Sequence, residues 1–261
     1  IKTKEEIEKM REGGRVLADI LEEVKKKVKP GITTSGLDQY ADELISEAGG
    51  KPSFKMVPKY KWATCMCVNE VVVHGVPNAY KLKEGDILGI DIGMFYKGFH
   101  TDMAETVVVN HYDNIYYHSE SLNDSNHLKK FISVGREALN QAVVAAKAGN
   151  RVGHISKAID ETISKAGFSP VRALVGHGVG KSLHEEPQIP CFFKGKLEET
   201  ARLGVGMTLA IEIIYNQGKP EVVYKNSDDW TIKTKDGSLS GLFEKTVAIT
   251  KKGPIVLTKA N

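Results

Sequence analysis

The sequence predicts an α+β fold made of two similar halves related by a pseudo-twofold axis, and three observations predict it. Lys29–Gly49 aligns without gaps on Lys147–Gly167, with eight identities in 21 positions, Gly31/Gly149 and Gly49/Gly167 among them. The strand-like run Gly85-Asp-Ile-Leu-Gly-Ile-Asp91-Ile92 aligns on Gly206-Met-Thr-Leu-Ala-Ile-Glu212-Ile213 in the same way. Each half then carries a second acid ahead of a β-rich run, Asp102 before Thr106-Val-Val-Val109 and Glu244 before Thr246-Val-Ala-Ile249. Self-similarity of this kind is the mark of a duplicated helix-and-strand unit whose copies bury a shared core.

The elements follow in order. Residues 3–29 read as a helix, with Thr3 as cap, Glu6 at the capping-box position and a stripe of Ile7, Met10, Val16, Leu17, Ile20, Leu21 and Val24. Gly13-Gly14 is a weak point in it. Pro30-Gly31 breaks the helix, and a second runs from near Thr34-Ser35 to Gly49-Gly50. After a loop over 51–61 come β-like segments at Ala63–Val68 and Val71–Val73. A hairpin follows, Ile90–Glu105, turning at Lys97-Gly98. Residues 111–129 are polar without a clear period and read as a surface insertion. Two more helices are expected at about 130–147 and 153–166, the latter stopped by Gly167. The expected division is one domain over 1–261, with halves of about 1–110 and 131–261 around the insertion at about 111–130.

Composition sets the bounds. At 261 residues with 41% hydrophobic and 26% charged content, the chain is an ordinary globular protein. A net charge of +3 is too small to argue for nucleic acid. Lys25–Lys29 reads as the solvated end of a helix. There is no apolar stretch of membrane length and no signal-peptide pattern, so no membrane contact and a cytoplasmic location are expected. Three cysteines make no disulfide framework, and Cys65-Met66-Cys67 lacks a partner pair at zinc-finger spacing.

The chemistry begins in the hairpin. With Lys97-Gly98 as the two turn residues, Tyr96 faces Phe99 and Gly93 faces Asp102. Asp91 is then a diagonal neighbour of Asp102 on one face, about 7–8 Å away at the backbone. Ile90, Ile92, Met94, Phe99 and Met103 take the opposite, core-seeking face. With Glu212 and Glu244 from the second half, four carboxylates meet in the sheet. Two divalent cations would neutralise them. His177, in Gly176-His-Gly-Val-Gly180, is the best nitrogen donor, since flanking glycines let the backbone approach closely. One nitrogen among oxygens favours Mn, Fe, Co or Zn over Ca. His100, alternating with Asp102, should lie on the acid face as a supporting donor. Gly178-Val-Gly-Lys-Ser182 imitates a phosphate loop, but Val175 stands where its first glycine belongs, and Pro187 and Pro190 interrupt the helix that should follow.

With these residues in place, the chain resembles the type I methionine aminopeptidases over essentially all its length outside the insertion. The motifs are Val68-Asn-Glu-Val-Val-Val-His74-Gly-Val-Pro77, Asp91 with Gly98-Phe-His-Thr-Asp102, Gly176-His-Gly-Val-Gly180, His184-Glu-Glu-Pro187 and Asp229-Trp-Thr-Ile-Lys-Thr-Lys-Asp236. The resemblance implies the pita-bread fold in a single catalytic domain. It implies that Asp91, Asp102, His177, Glu212 and Glu244 hold two divalent metal ions (Co, Mn, Fe or Zn), and that His74 and His184 contact substrate. It implies removal of N-terminal methionine from nascent polypeptides with a small second residue, by a metal-bridging hydroxide with Glu212 as general base. The methionine pocket would be lined by Tyr60, Cys65 and Trp230, with Phe54 beside them. A monomer is expected, and Lys25–Lys29 leaves a weak case for ribosome contact.

The chain departs from the family pattern at three places: Ile213 where proline is usual, Lys245 where histidine is usual, and Leu183 where an aromatic residue is usual. On the hairpin register Lys245 points away from Glu244, whereas Leu183 would reshape the methionine pocket. Two other readings stand beside the first. One is a proline-specific relative cutting Xaa-Pro, generally a longer chain with an extra N-terminal domain. The other is a non-catalytic ribosome- or RNA-binding module on the same fold, against which the intact ligand set argues.

Overall fold

A computed structural model describes residues 1–110, 122–225 and 228–260. The first half contains α1 (Lys4–Lys26), α2 (Thr34–Glu47), β1 (Lys51–Pro52), β2 (Thr64–Val68), β3 (Val71–Val73), β4 (Ile87–Tyr96) and β5 (Phe99–Val108). The second contains α3 (Leu122–Ala145), α4 (Val152–Lys165), β6 (Ser169–Pro170), β7 (Val175–Gly178), β8 (Glu185–Pro190), β9 (Thr208–Asn216), β10 (Val222–Tyr224), β11 (Ile232–Thr234), β12 (Ser240–Thr250) and β13 (Gly253–Val256).

The halves share one sheet. Its order is β1-β4-β5-β12-β9-β7-β8, with β2 also on β4, β6 on β9 and β13 on β12. The junction is the antiparallel contact of β5 with β12. A smaller sheet, β10-β11-β3, stands beside it. Leu17, Leu21 and Val24 of α1 are fully buried with Ile90, Ile92 and Met94 of β4 and with Met103 of β5, each such side chain contributing about 1.5–3 kcal/mol on burial. In the second half Phe131 and Ala138 of α3 pack on Ile213 and Phe243. The strand period of two therefore commits the even positions of β4 to the helices and turns Asp91 and Gly93 to the other face.

The duplication extends to individual hydrogen bonds. Gly31 N–H donates to Leu82 O and Leu82 N–H to Ile32 O; Gly149 N–H donates to Leu203 O and Leu203 N–H to Asn150 O. The register Lys51↔Phe95 recurs as Ser169↔Asn216. Gly31 and Gly149, at φ 89° and 91°, hold the same left-handed turn, which explains why this pair is identical.

Two expectations change. Gly13-Gly14 does not weaken α1, which runs unbroken and is capped by a Thr3/Glu6 capping box. These glycines bring the helix onto its neighbours: a Cβ on Gly14 would lie 2.6 Å from Leu257 O, and one on Gly13 3.1 Å from Tyr96 Cβ. The helix expected over 130–147 begins at Leu122, so 122–130 is helical, with Leu128 packed on the core ahead of Phe131. The rest of the expected insertion, 111–121, including His111 and His118, lies outside the described residues. The phosphate-loop imitation is confirmed as a decoy, because Gly178 ends β7 and strand β8 follows at Glu185.

Candidate metal centre and active site

The hairpin register is the expected one, Tyr96↔Phe99 and Gly93↔Asp102. Lys97 (φ 49°) and Gly98 (φ 88°) both take the left-handed region, as a two-residue turn matching the strand twist requires. Gly93 leaves room for the acid opposite: a Cβ there would stand 3.2 Å from Asp102 Oδ1 and 3.1 Å from Phe54 Cε1.

Across the sheet, one row of directly paired residues runs Cys65, Asp91, Ala104, Glu244, Glu212 over β2, β4, β5, β12 and β9. Direct partners share a face, so three carboxylates line up with a single alanine between them. Asp102, two residues before Ala104, shares that face. The repeat thus equates Asp91 with Glu212 but Ala104 with Glu244, so the second acid of each half sits at a different step along its strand. His177 comes from β7, paired with Ala210.

Ligand-type atoms of Asp102, His177 and Glu244 all lie within 4.8 Å of one another. His177 Nε2 is 3.4 Å from Glu212 Oε1, while its Nδ1 lies 2.8 Å from Gly178 O. A carbonyl only accepts, so Nδ1 carries the proton and Nε2 offers a lone pair to the acids. Burial holds His177 down to about 4, which keeps it neutral.

The acids show what is required between them. Burial pushes Asp91 up to about 7. It raises Asp102, Glu212 and Glu244 well above the carboxylate range, with the neighbouring carboxylates pushing the same way. Among the described residues, Asp91 Oδ1 and Glu244 Oε1 are buried without a hydrogen-bond partner. Orphaned oxygens in a four-acid cluster with one neutral imidazole fit divalent cations.

Around this centre lies a cavity of about 180 Å³, lined by all ten residues expected at the site: Tyr60, Cys65, His74, Asp91, Asp102, His177, His184, Glu212, Trp230 and Glu244. Phe54 and Leu183 line it too, with Val57 and Val73, for which the sequence carried no signal beyond the latter's position next to His74. Tyr60 makes edge contacts with Trp62 and Trp230, at 5.3 and 5.1 Å between ring centres. The cavity therefore has an aromatic, apolar end and an acidic end. His74 and His184 stand at its mouth with open edges, both held toward the neutral form by surrounding protein. The His184 ring lies 4.4 Å from that of His177. His74 is held at φ 54°, a conformation a histidine adopts only when its surroundings impose it. A second groove shares His74, His177, His184 and Glu212 and continues to Glu186 and Gln188.

His100 lies on the acid face as expected, two residues before Asp102, and its hydrogen-bond partner is Ser53. It is buried with Nδ1 2.9 Å from Ser53 Oγ and its ring against Phe95. Lys245 points to the helix side as expected, among Glu105, Lys25 and Glu22.

A duplicated sheet with acids, one neutral imidazole and two mouth histidines defines the class, a metallohydrolase with a small apolar pocket. The comparisons agree. The model of metallopeptidase family M24 matches residues 8–251. Methionine aminopeptidase 1 of Bacillus subtilis is 43% identical over 258 residues, covering 99% of this chain and 98% of that one. The crystal structure of methionine aminopeptidase from Thermotoga maritima superposes with a TM-score of 0.89 at 41% identity, covering 99% and 98%. Prolidase from Pyrococcus furiosus superposes with a TM-score of 0.76 at 23% identity, covering all of this chain and 66% of that one, and shows the fold alone. The chain belongs to metallopeptidase family M24, among its methionine aminopeptidases, and the fold is the pita-bread fold. Among the described residues no helix is long and apolar enough to cross a membrane.

Proposed function

We propose that the chain removes the N-terminal methionine from nascent proteins and peptides whose second residue is small, with divalent metal ions as cofactor. The observation that carries this reading is one cavity with an apolar aromatic end and five ligand-type side chains, Asp91, Asp102, His177, Glu212 and Glu244, at the other. These five would hold two ions of Mn, Fe, Co or Zn. When bound, such ions let the acids ionise together, bring the pKa of a water toward neutrality and favour a free amine at the site.

The protein's own groups do the rest. Phe54, Tyr60, Cys65, Leu183 and Trp230 take up the methionine side chain and exclude water. Glu212 takes the proton of the attacking water at a carboxylate oxygen and passes it to the leaving amide nitrogen. His184 donates to the oxygen of the scissile carbonyl as charge develops on it, and His74 contacts the leaving nitrogen. The groove toward Glu186 and Gln188 receives the remaining peptide. The near-complete overlap with relatives of the same length favours methionine release over Xaa-Pro cleavage.

The test is release of free methionine from Met-Ala and Met-Gly peptides by chelator-treated protein, before and after Mn, Fe or Co is restored. Absence of metal-dependent release, or preferential cleavage of Xaa-Pro peptides, would overturn the reading.

A further inference from the structure

The junction of the two halves contains a matched pair of threonine clamps. The pairs Glu244↔Ala104 and Lys245↔Met103 join β5 to β12. Continuing that register sets Asp102 opposite Thr246 and Thr106 opposite Leu242. At both positions the direct ladder is replaced by a side chain. Thr246 Oγ1 accepts from Asp102 N–H at 2.9 Å and donates to Asp102 O at 2.8 Å. Thr106 Oγ1 accepts from Leu242 N–H at 2.9 Å and donates to Leu242 O at 2.8 Å. Each hydroxyl thus imitates a peptide group, spending its one proton on a carbonyl and one lone pair on an N–H. Both threonines are fully buried, so no water can replace the hydroxyl without rearrangement.

The two clamps do the same structural work, but they differ in what they hold. Thr106 secures Leu242, an apolar residue whose strand is also tied to β9 along its length. Thr246 secures Asp102, which shares a 4.8 Å cluster with His177 and Glu244. We propose that Thr246 is a positioning residue for the metal centre: its clamp on the Asp102 backbone sets how far β5 stands from β12 and so where the Asp102 carboxylate lies. Thr106 is the duplicated copy of this device, without a ligand attached. The inference rests on the reading of Asp102 as a metal ligand. Without the hydroxyl, the Asp102 N–H and C=O lose their partners, or the strands close up and carry the carboxylate away from His177 and Glu244.

The test is a calorimetric titration of the chelator-treated full chain with Mn(II), with a thermal melt on each protein. Thr246→Val and Thr106→Val, which keep side-chain shape, are compared with the unsubstituted chain and with Thr246→Ser. The melts of the two valine variants should fall together. Mn(II) affinity should fall by about 10- to 100-fold in Thr246→Val, by less than about threefold in Thr106→Val, and return to within about threefold in Thr246→Ser. Equal losses of affinity in the two valine variants, or unchanged affinity in Thr246→Val, would overturn the proposal. If Thr246→Val is not recovered folded, Thr246→Cys and Thr106→Cys are judged by the same comparison. Failure of the unsubstituted chain to bind Mn(II) removes the metal reading itself, and this proposal with it, a result distinct from the others.

Discussion

Glu244 stands directly opposite Glu212 across β12 and β9, a buried carboxylate facing a partly buried one on one face of the sheet. Like charges so placed repel, and burial already disfavours each of them. The arrangement is stable with protons or cations on the acids and costly without either.

A pH dependence follows, with a definite sign. Asp91, raised to about 7, binds its proton more tightly in the folded chain than in the unfolded one, as do Asp102, Glu212 and Glu244. Between the unfolded carboxylate range near 4 and the folded value near 7, the native state therefore holds more protons. Stability of the chelated protein should fall as pH rises through that window. Thermal melts at pH 5 and pH 7.5 check it: the chelated protein melts lower at pH 7.5, and Mn(II) raises the melt more at pH 7.5 than at pH 5.

Removing Trp230 should separate pocket from metal. Trp230→Ala takes away the ring 5.1 Å from Tyr60 and opens the apolar end. A loss of about 1.5–3 kcal/mol of side-chain contact corresponds to roughly 10- to 100-fold in kcat/KM for Met-Ala peptides. Mn(II) affinity, measured by calorimetry, should stay within about threefold, because the ring contacts of the indole are with Tyr60 and His74 and not with His177.

Gly93→Ala should damage both at once. The new Cβ meets Ser53 Cβ at 3.0 Å, Phe54 Cε1 at 3.1 Å and Asp102 Oδ1 at 3.2 Å. Overpacking here should cost about 1–3 kcal/mol in denaturant titrations, with weaker Mn(II) binding and a higher KM in the same variant.

Glu105 ties the halves together on the helix side. It accepts from Lys25 of α1 at 2.9 Å and from Arg136 of α3 at 2.6 Å, near the partly buried Lys245. Burial raises its pKa, yet those cations hold it below the usual range overall, so its contribution is present above the unfolded value and lost as pH falls. Glu105→Ala should cost about 1 kcal/mol at pH 7, because Arg136 is half exposed and Lys25, partly exposed, keeps Glu22 as a second partner. Urea titrations at pH 7 and pH 4 should show the difference from the unsubstituted chain shrinking at the lower pH.

Legibility in the sequence followed the range of the interaction. The Lys97-Gly98 turn, the alternation that turns Asp91 and Asp102 to one face, and the duplicated glycines at 31 and 149 are local, and each held. The start of α3 at Leu122 is hidden in the sequence because the polar run over 123–127 precedes Leu128 and Phe131, which pack on the core. The face of His100 followed from the alternation, but its partner did not, because Ser53 is 47 residues away on a loop with no periodic signal.

The sequence by itself determined the duplication, the hairpin register and the set of acids and histidines, since backbone dihedrals and side-chain alternation are dictated by neighbouring residues. Only the tertiary structure decided how the halves meet. The row from Asp91 through Ala104 to Glu244 and Glu212, the offset of Asp102 from that row, and the threonine clamps beside it all depend on the docking of β5 against β12. That docking is set by packing between residues more than a hundred positions apart, and no local pattern in the chain encodes it.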